Sequence, residues 1–367
     1  MATVLLGGDV MLGRGVDQIL PHPGEPTLRE RCVDDARTYV ALAERANGAF
    51  AYPVDFRRPW GDVLSLLAQV DPEVRLINLE TSITADGAFA PGKGVHYRMN
   101  PDNVPVLTAI APVVCALANN HVLDFGIPGL VDTLEALDTA GISRAGAGAD
   151  LNEAQAPAIV ELGHEHRVVI VSVAGGSSGV PEFWAARNNR PGLWRVGESP
   201  SARAADAVAA KVLAHKRDHD ITIVSVHWGP NWGYGVALSE KQFAHRLIDA
   251  GVDVVHGHSA HHPRPIEIYR GKPILYGCGD VIDDYEGISG HERYRTELHL
   301  LYLVSIDADA VELRMIPLRE RHMRLEWAAR GESHWLCELM AHISRGFGTR
   351  VASRPDDFPV VFNAAQR

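Results

Sequence analysis

Cysteine is scarce in this chain of 367 residues. Cys32, Cys115, Cys278 and Cys337 lie far apart and form no CxxC pair, so they read as free, mostly buried thiols of a reducing compartment, not as a disulfide framework. Positive charge is also in deficit, with 35 Lys and Arg against 46 Asp and Glu. The formal charge of −11 argues against a general nucleic-acid or acidic-membrane surface. Long hydrophobic runs are missing too. The opening Met-Ala-Thr-Val-Leu-Leu-Gly-Gly-Asp has no basic lead and only a few apolar residues, so it reads as a first strand, not a signal peptide or membrane anchor. No internal repeat or low-complexity tract is visible. These absences predict a soluble, cytoplasmic protein. With no compositional break, residues 1–367 read as a single domain with insertions near 21–59 and 176–203.

What is present is a series of short apolar runs, each punctuated by polar residues or glycine. They cover Val4 to Leu6, Val74 to Leu79, Val113 to Leu117, Val168 to Val173, Ile221 to Val226, Val252 to Val255, Ile274 to Tyr276 and Leu300 to Ile306. Such runs suit strands buried on both faces. Helical patterns lie between several of them. Leu130, Leu134 and Leu137 share a face and are followed by Gly141, and a stretch from Arg37 to Ala46 is helix-like. Ser239 and Gln242 match a capping box ahead of Phe243, Leu247 and Ile248. Alternating strands and helices predict an α/β core. The final run followed by Ala310 to Ile316 reads as a hairpin, so the sheets are expected to be mixed.

The ends of these runs carry the chemistry. The sixth enters His256-Gly-His258-Ser-Ala-His261-His262, where crowded imidazoles make sense if a cation offsets their cost. Other runs end at Asp9, at Asn78-Leu-Glu80, at Asn119-Asn120-His121 with Asp124 beyond, at His227-Trp228, and at Cys278-Gly-Asp280. Ligands of open α/β sheets collect beyond the carboxyl ends of strands. Carboxylate, carboxamide and imidazole together suit Zn, Mn, Fe or Mg.

The ordered motifs G-D-V-M-L-G-R, N-L-E-T, A-N-N-H-V-L-D-F-G, H-W-G-P and G-H-S-A-H-H-P-R-P-I-E-I-Y-R-G-K-P-I-L-Y-G-C-G-D resemble the CapA/PgsA family, named for poly-γ-glutamate capsule synthesis. That family is similar to the calcineurin-like metallophosphoesterases. The resemblance implies a metallophosphoesterase-like fold, a four-layer α/β/β/α sandwich with two mixed sheets, and one or two divalent metal ions. It implies metal ligands at Asp9, Glu80, Asn120, His227, His258 and His261, with His121 as a substrate or transition-state contact. Asp124 either orients His121 or caps the following helix.

Three departures qualify the resemblance. Met11 stands where the phosphoesterase pattern has a ligand histidine, Glu80 replaces a bridging aspartate, and two residues instead of one separate His258 from His261. An asymmetric or mononuclear centre is therefore expected, with Glu80, Asn120, His227 and His258 forming the intact half. The other half, from Asp9, Glu80 and His261, is weak, empty or completed by His262. Arg14 and Arg98 are candidate clamps for a substrate anion, or else surface ion-pair residues. Trp228, Trp232 and Tyr234 are candidate pocket walls. The expected activity is metal-dependent hydrolysis, by activated water, of a phosphoester or a γ-glutamyl or amide-type anionic substrate, either a small molecule or a γ-glutamyl polymer. The alternative is a non-catalytic, metal-binding accessory protein of poly-γ-glutamate synthesis.

Overall fold

Every one of the eight apolar runs overlaps a strand of the computed structural model, which describes residues 2–163, 166–306, 311–354 and 357–363. The strands form two large mixed sheets. In the first, Ala2–Val10 is central, with Val74–Leu79, Val113–Ala116 and Ser143–Ala145 following in parallel on one side. On its other side Leu298–Ile306 and Val311–Glu320 run antiparallel, forming the hairpin read from the sequence. Residue 310, included in that hairpin, lies outside the described residues. The second sheet places His166–Ala174, Ile221–His227, Val254–His258 and Lys272–Leu275 in parallel, with antiparallel strands at both edges.

The period-two alternation of side chains explains the layering. Val168 and Ile170 point with Val4, Leu6 and Ile223 into a core between the sheets. Their neighbours Val169, Val171 and Val173 point the other way, against Val208 and Val212 of helix Ala202–Leu213 and Phe243 and Leu247 of helix Leu238–Ala250. The outer face of the first sheet, with Leu5, Ile77 and Cys115, packs on Val40, Leu67, Leu130, Leu134 and Leu137 from helices Arg37–Asn47, Val63–Val70 and Gly126–Thr139. Each such fully buried aliphatic side chain contributes about 1.5–3 kcal/mol. The result is the expected α/β/β/α sandwich.

One local detail departs from the sequence reading. Helix Leu238–Ala250 is capped by Glu240, whose carboxylate accepts the Ala237 N–H at 3.0 Å, and not by the Ser239/Gln242 pair. Glu240 is drawn inward because its other role is to pair with the buried Arg264 at 2.7 Å. Cys32 is exposed, whereas Cys115, Cys278 and Cys337 are buried, and all four are free. The 176–203 segment is pinned down: Gly192–Leu193 pairs with Ala147–Gly148, and Trp184 and Trp194 are buried. Among the described residues no helix is long and apolar enough to cross a membrane.

Candidate metal centre

Parallel pairing aligns the carboxyl ends of strands from both sheets along one edge of the sandwich. Asp9 lies in register with Asn78 on one side and Asp280 on the other. His227 lies in register with His258, and Ser225 with His256. Glu80 follows the second strand, and Asn119 to His121 follow the third. All these residues except Asn120 are buried, Asn120 being partly so. Asn78 holds the two acids together, its Nδ2 donating to Asp9 Oδ1 at 2.8 Å and to Glu80 Oε2 at 2.7 Å.

The histidines are aimed by their hydrogen bonds. His256 Nε2 donates to the Gly7 carbonyl at 2.9 Å, so its Nδ1 accepts the Ser225 hydroxyl at 3.1 Å. Ser225 Oγ then accepts from His258 Nε2 at 2.8 Å, which leaves His258 Nδ1 as a bare lone pair. His227 Nε2 donates to Asn120 Oδ1 at 3.2 Å, which leaves His227 Nδ1 bare as well. The two Nδ1 atoms face each other at 2.9 Å. Asp9 Oδ1 lies 3.7 Å from one, and Glu80 Oε2 3.9 Å from the other. Asp9, His227 and His258 thus bring one ligand atom each within 4.8 Å of one another, with Glu80 beside His227. Neighbouring ligands of a single cation sit at such spacings when each bond is about 2.1 Å, so the donor set fits a divalent metal ion.

Electrostatics agrees. Burial, and next the charge of Asp280, raise the Asp9 pKa to about 7. Burial and the neighbouring Asp9 and Asp280 hold Glu80 well above the usual carboxylate range. His227 and His258 are pushed well below the usual imidazole range, first by burial and then by other histidines. Burying uncompensated carboxylates costs several kcal/mol per ion, and a cation among them reverses that penalty.

The second half of the cluster is completed by a residue outside the sequence-derived ligand set. His261 Nδ1 lies 2.9 Å from Asp280 Oδ1, and Asp9, His261 and Asp280 form a second group with metal-ligand spacing. Asp280 Oδ2 is buried without a hydrogen-bond partner. Met11 leaves a gap in the ligand set, and Asp280 is the ligand-type residue that stands with Asp9 and His261; Met11 itself is a buried side chain touching the Tyr285 hydroxyl. His262 does not fill that gap. Its Nε2 accepts the Gly233 N–H, its Nδ1 donates to the Pro263 carbonyl, and its ring stacks on Tyr294.

His121 projects towards the same point, with Nε2 3.7 Å from Glu80 Oε1. Its Nδ1 donates to Asp124 Oδ2 at 2.6 Å, so Asp124 orients the ring and is not the N-cap of helix Gly126–Thr139. Burial lowers the His121 pKa to about 4 despite the opposing pull of Asp124. Lys93, absent from the sequence reading, pairs with Asp124 and donates to the Asn120 carbonyl. It comes from a Pro-Gly-Lys-Gly loop with no periodicity to mark it.

The candidate anion clamps fare differently from the ligands. Arg14 lines a 250 Å³ cavity beside His261, together with Tyr39, Tyr97, Trp232 and Tyr285. Its guanidinium is already committed to Asp284, at 3.1 Å through Nε, and to Glu30 at 2.9 Å. Arg98 is outside that cavity, lying over the Phe125 ring at 4.6 Å and donating to the Glu25 carbonyl. Trp232 walls the cavity, whereas Trp228 is core, with its indole N–H bonded to the Tyr276 carbonyl. Tyr234 packs on His262 and Tyr294.

A two-sheet sandwich with a histidine–carboxylate cluster at its strand ends defines the class, and sequence comparison supplies the family. Residues 3–285 match the family described as "Bacterial capsule synthesis protein PGA_cap", and the chain belongs to it. It is 61% identical, over 100% of its length and 97% of the relative's, to a "Probable polyglutamine synthesis accessory protein" of Mycobacterium tuberculosis. It is 25% identical to the "PGA biosynthesis protein CapA" of Bacillus subtilis, over 80% of this chain and 66% of that one. Among solved structures it is similar to TT1561 of Thermus thermophilus, with a TM-score of 0.38 and 10% identity, over 82% of this chain and 93% of that one.

Proposed function

We propose that this PGA_cap-family chain is a metal-dependent hydrolase acting on a phosphoester or a γ-glutamyl or amide-type anionic substrate. The facing Nδ1 lone pairs of His227 and His258, 2.9 Å apart with Asp9 and Glu80 beside them, carry the reading. Asp9, Glu80, His227 and His258 would hold one divalent ion, with Asn120 at its edge. Asp9, His261 and Asp280 would hold a weaker second. A cation there supplies Lewis acidity and a water of lowered pKa. His121 presents Nε2 to the centre for proton transfer, while Asp124 fixes its tautomer. Lys93 adds positive charge beside them. The Tyr39, Tyr97 and Trp232 walls exclude water from the substrate's remainder.

The second reading is a metal-binding accessory protein of polyglutamate synthesis, favoured by the printed name of the 61% identical relative. Purified chain loaded with Zn²⁺ or Mn²⁺ and screened on phosphoester, amide and γ-glutamyl substrates separates the two. Turnover that His227→Ala abolishes and His121→Ala lowers by about 10²–10⁴ supports the hydrolase. Metal binding without turnover on any of the three classes favours the accessory role.

A further inference from the structure

A second cluster of ligand-type side chains lies outside the centre described above. Asp283, His299 and Glu320 bring one ligand atom each within 4.8 Å of one another, and all three are buried. They come from three segments that only strand pairing unites. His299 is on Leu298–Ile306, Glu320 ends Val311–Glu320, and Asp283 follows Asp280–Ile282. The tautomer of His299 is set by its backbone partner. Nδ1 donates to the Asp280 carbonyl at 2.8 Å, so Nε2 carries the lone pair, and this buried atom has no hydrogen-bond partner. It lies 3.5 Å from Glu320 Oε2. Asp283 Oδ1 accepts the Tyr285 N–H at 2.7 Å, and its buried Oδ2 likewise lacks a hydrogen-bond partner. Among the described residues, neither carboxylate pairs with a lysine or arginine.

We propose that Asp283, His299 and Glu320 form a separate structural site for a borderline divalent cation of the Zn²⁺ or Mn²⁺ class. Two carboxylates and one imidazole suit such ions better than Ca²⁺, which takes oxygen ligands only. A way in exists. Asp283 and Glu320 line a cavity of about 320 Å³ whose wall also carries Glu286, Glu292 and Glu297, an acidic approach that attracts cations. The site has a mechanical consequence. The run from Asp280 to Asp284 sends Asp280 to His261, Asp283 to this site and Asp284 to Arg14 at the substrate cavity. Binding at Asp283 and His299 fixes that run, so the ion is a positioning element for Asp280 and Arg14. The proposal is independent of the hydrolase reading.

The test isolates this site by removing the main one. Asp9 belongs to both groups of the main centre, so Asp9→Asn combined with His227→Ala disables that centre while leaving Asp283, His299 and Glu320 intact. The metal-stripped double variant, checked for its fold by circular dichroism, is titrated with Zn²⁺ and with Mn²⁺. The expected result is one equivalent of Zn²⁺ or Mn²⁺ bound, with a single imidazole in the X-ray absorption spectrum of the bound metal. Adding His299→Gln is expected to lose that equivalent. Should that variant fail to fold, Asp283→Asn is expected to lose it. A folded double variant that binds no metal overturns the proposal. So does one equivalent that survives both substitutions, or one held by two or more imidazoles.

Discussion

Ser225 is not itself among the ligand-type residues, yet its bond to His258 decides which nitrogen that ring presents. Its hydroxyl passes the proton constraint set by the Gly7 carbonyl through His256 to His258. Partners that orient a metal-binding histidine are typically worth about 10–100-fold in metal affinity. Ser225→Ala is therefore expected to weaken metal binding by about that factor, with the fold unchanged by circular dichroism. An unchanged affinity would mean that the chain from Gly7 to His258 does not control the ring. At this scale much of the centre is legible in sequence, because Asp9, Glu80, His121, His227, His258 and His261 each sit where an apolar run ends. Asp280 also ends an apolar run, but its place beside Asp9 is not legible, and Lys93 is not legible at all. Asp280 matters because a three-residue strand pairs with Ala2–Val10, and Lys93 because a glycine-flanked loop folds back over Asp124. Neither pairing leaves a local pattern. Arg14 reads in sequence as a substrate-anion clamp or a surface ion-pair residue, but it is buried, and the anions it meets are Glu30 and Asp284 of its own chain.

At the scale of elements, the amino ends of the second sheet's strands are tied by one carboxylate. Asp253 accepts from the Thr222 N–H at 2.9 Å and hydroxyl at 2.8 Å, from Lys216 at 2.7 Å and from Lys272 at 2.8 Å. Burial alone would raise its pKa, but the bonds from Lys216 and Lys272 outweigh burial and hold it below the ordinary carboxylate value. A depressed carboxylate contributes stability that is full above its unfolded pKa, near 4, and is lost as pH falls through the folded value. In that window the unfolded chain binds more protons, so stability rises with pH. Asp253→Asn is expected to cost about 1.5–3 kcal/mol at pH 7 in urea unfolding. The gap from the parent should narrow as pH drops below about 4. A gap that stays constant to low pH would show that the carboxylate charge is not what ties these strands. The strands themselves were readable from apolar runs, whereas the cap of Leu238–Ala250 was misread. Its Glu240 answers to Arg264 across the structure, and local capping preference carries no record of that partner.

For the whole molecule, the sandwich serves to bring two sheets' strand ends to one edge. The first sheet delivers the carboxylates and His121, the second delivers His227, His258 and His261, so the strand-end cluster draws on both. The short continuous apolar runs told that the strands are buried on both faces. They did not tell which strand neighbours which, and so not that Asp283, His299 and Glu320 meet. The central claim is that the strand-end cluster is a metal centre. Its most direct test is the metal content per chain of the purified protein, measured beside Asp9→Asn/His227→Ala after equal exposure to Zn²⁺ or Mn²⁺ and desalting. At least one more equivalent in the parent chain than in the variant is predicted. Equal content in two folded proteins would contradict it.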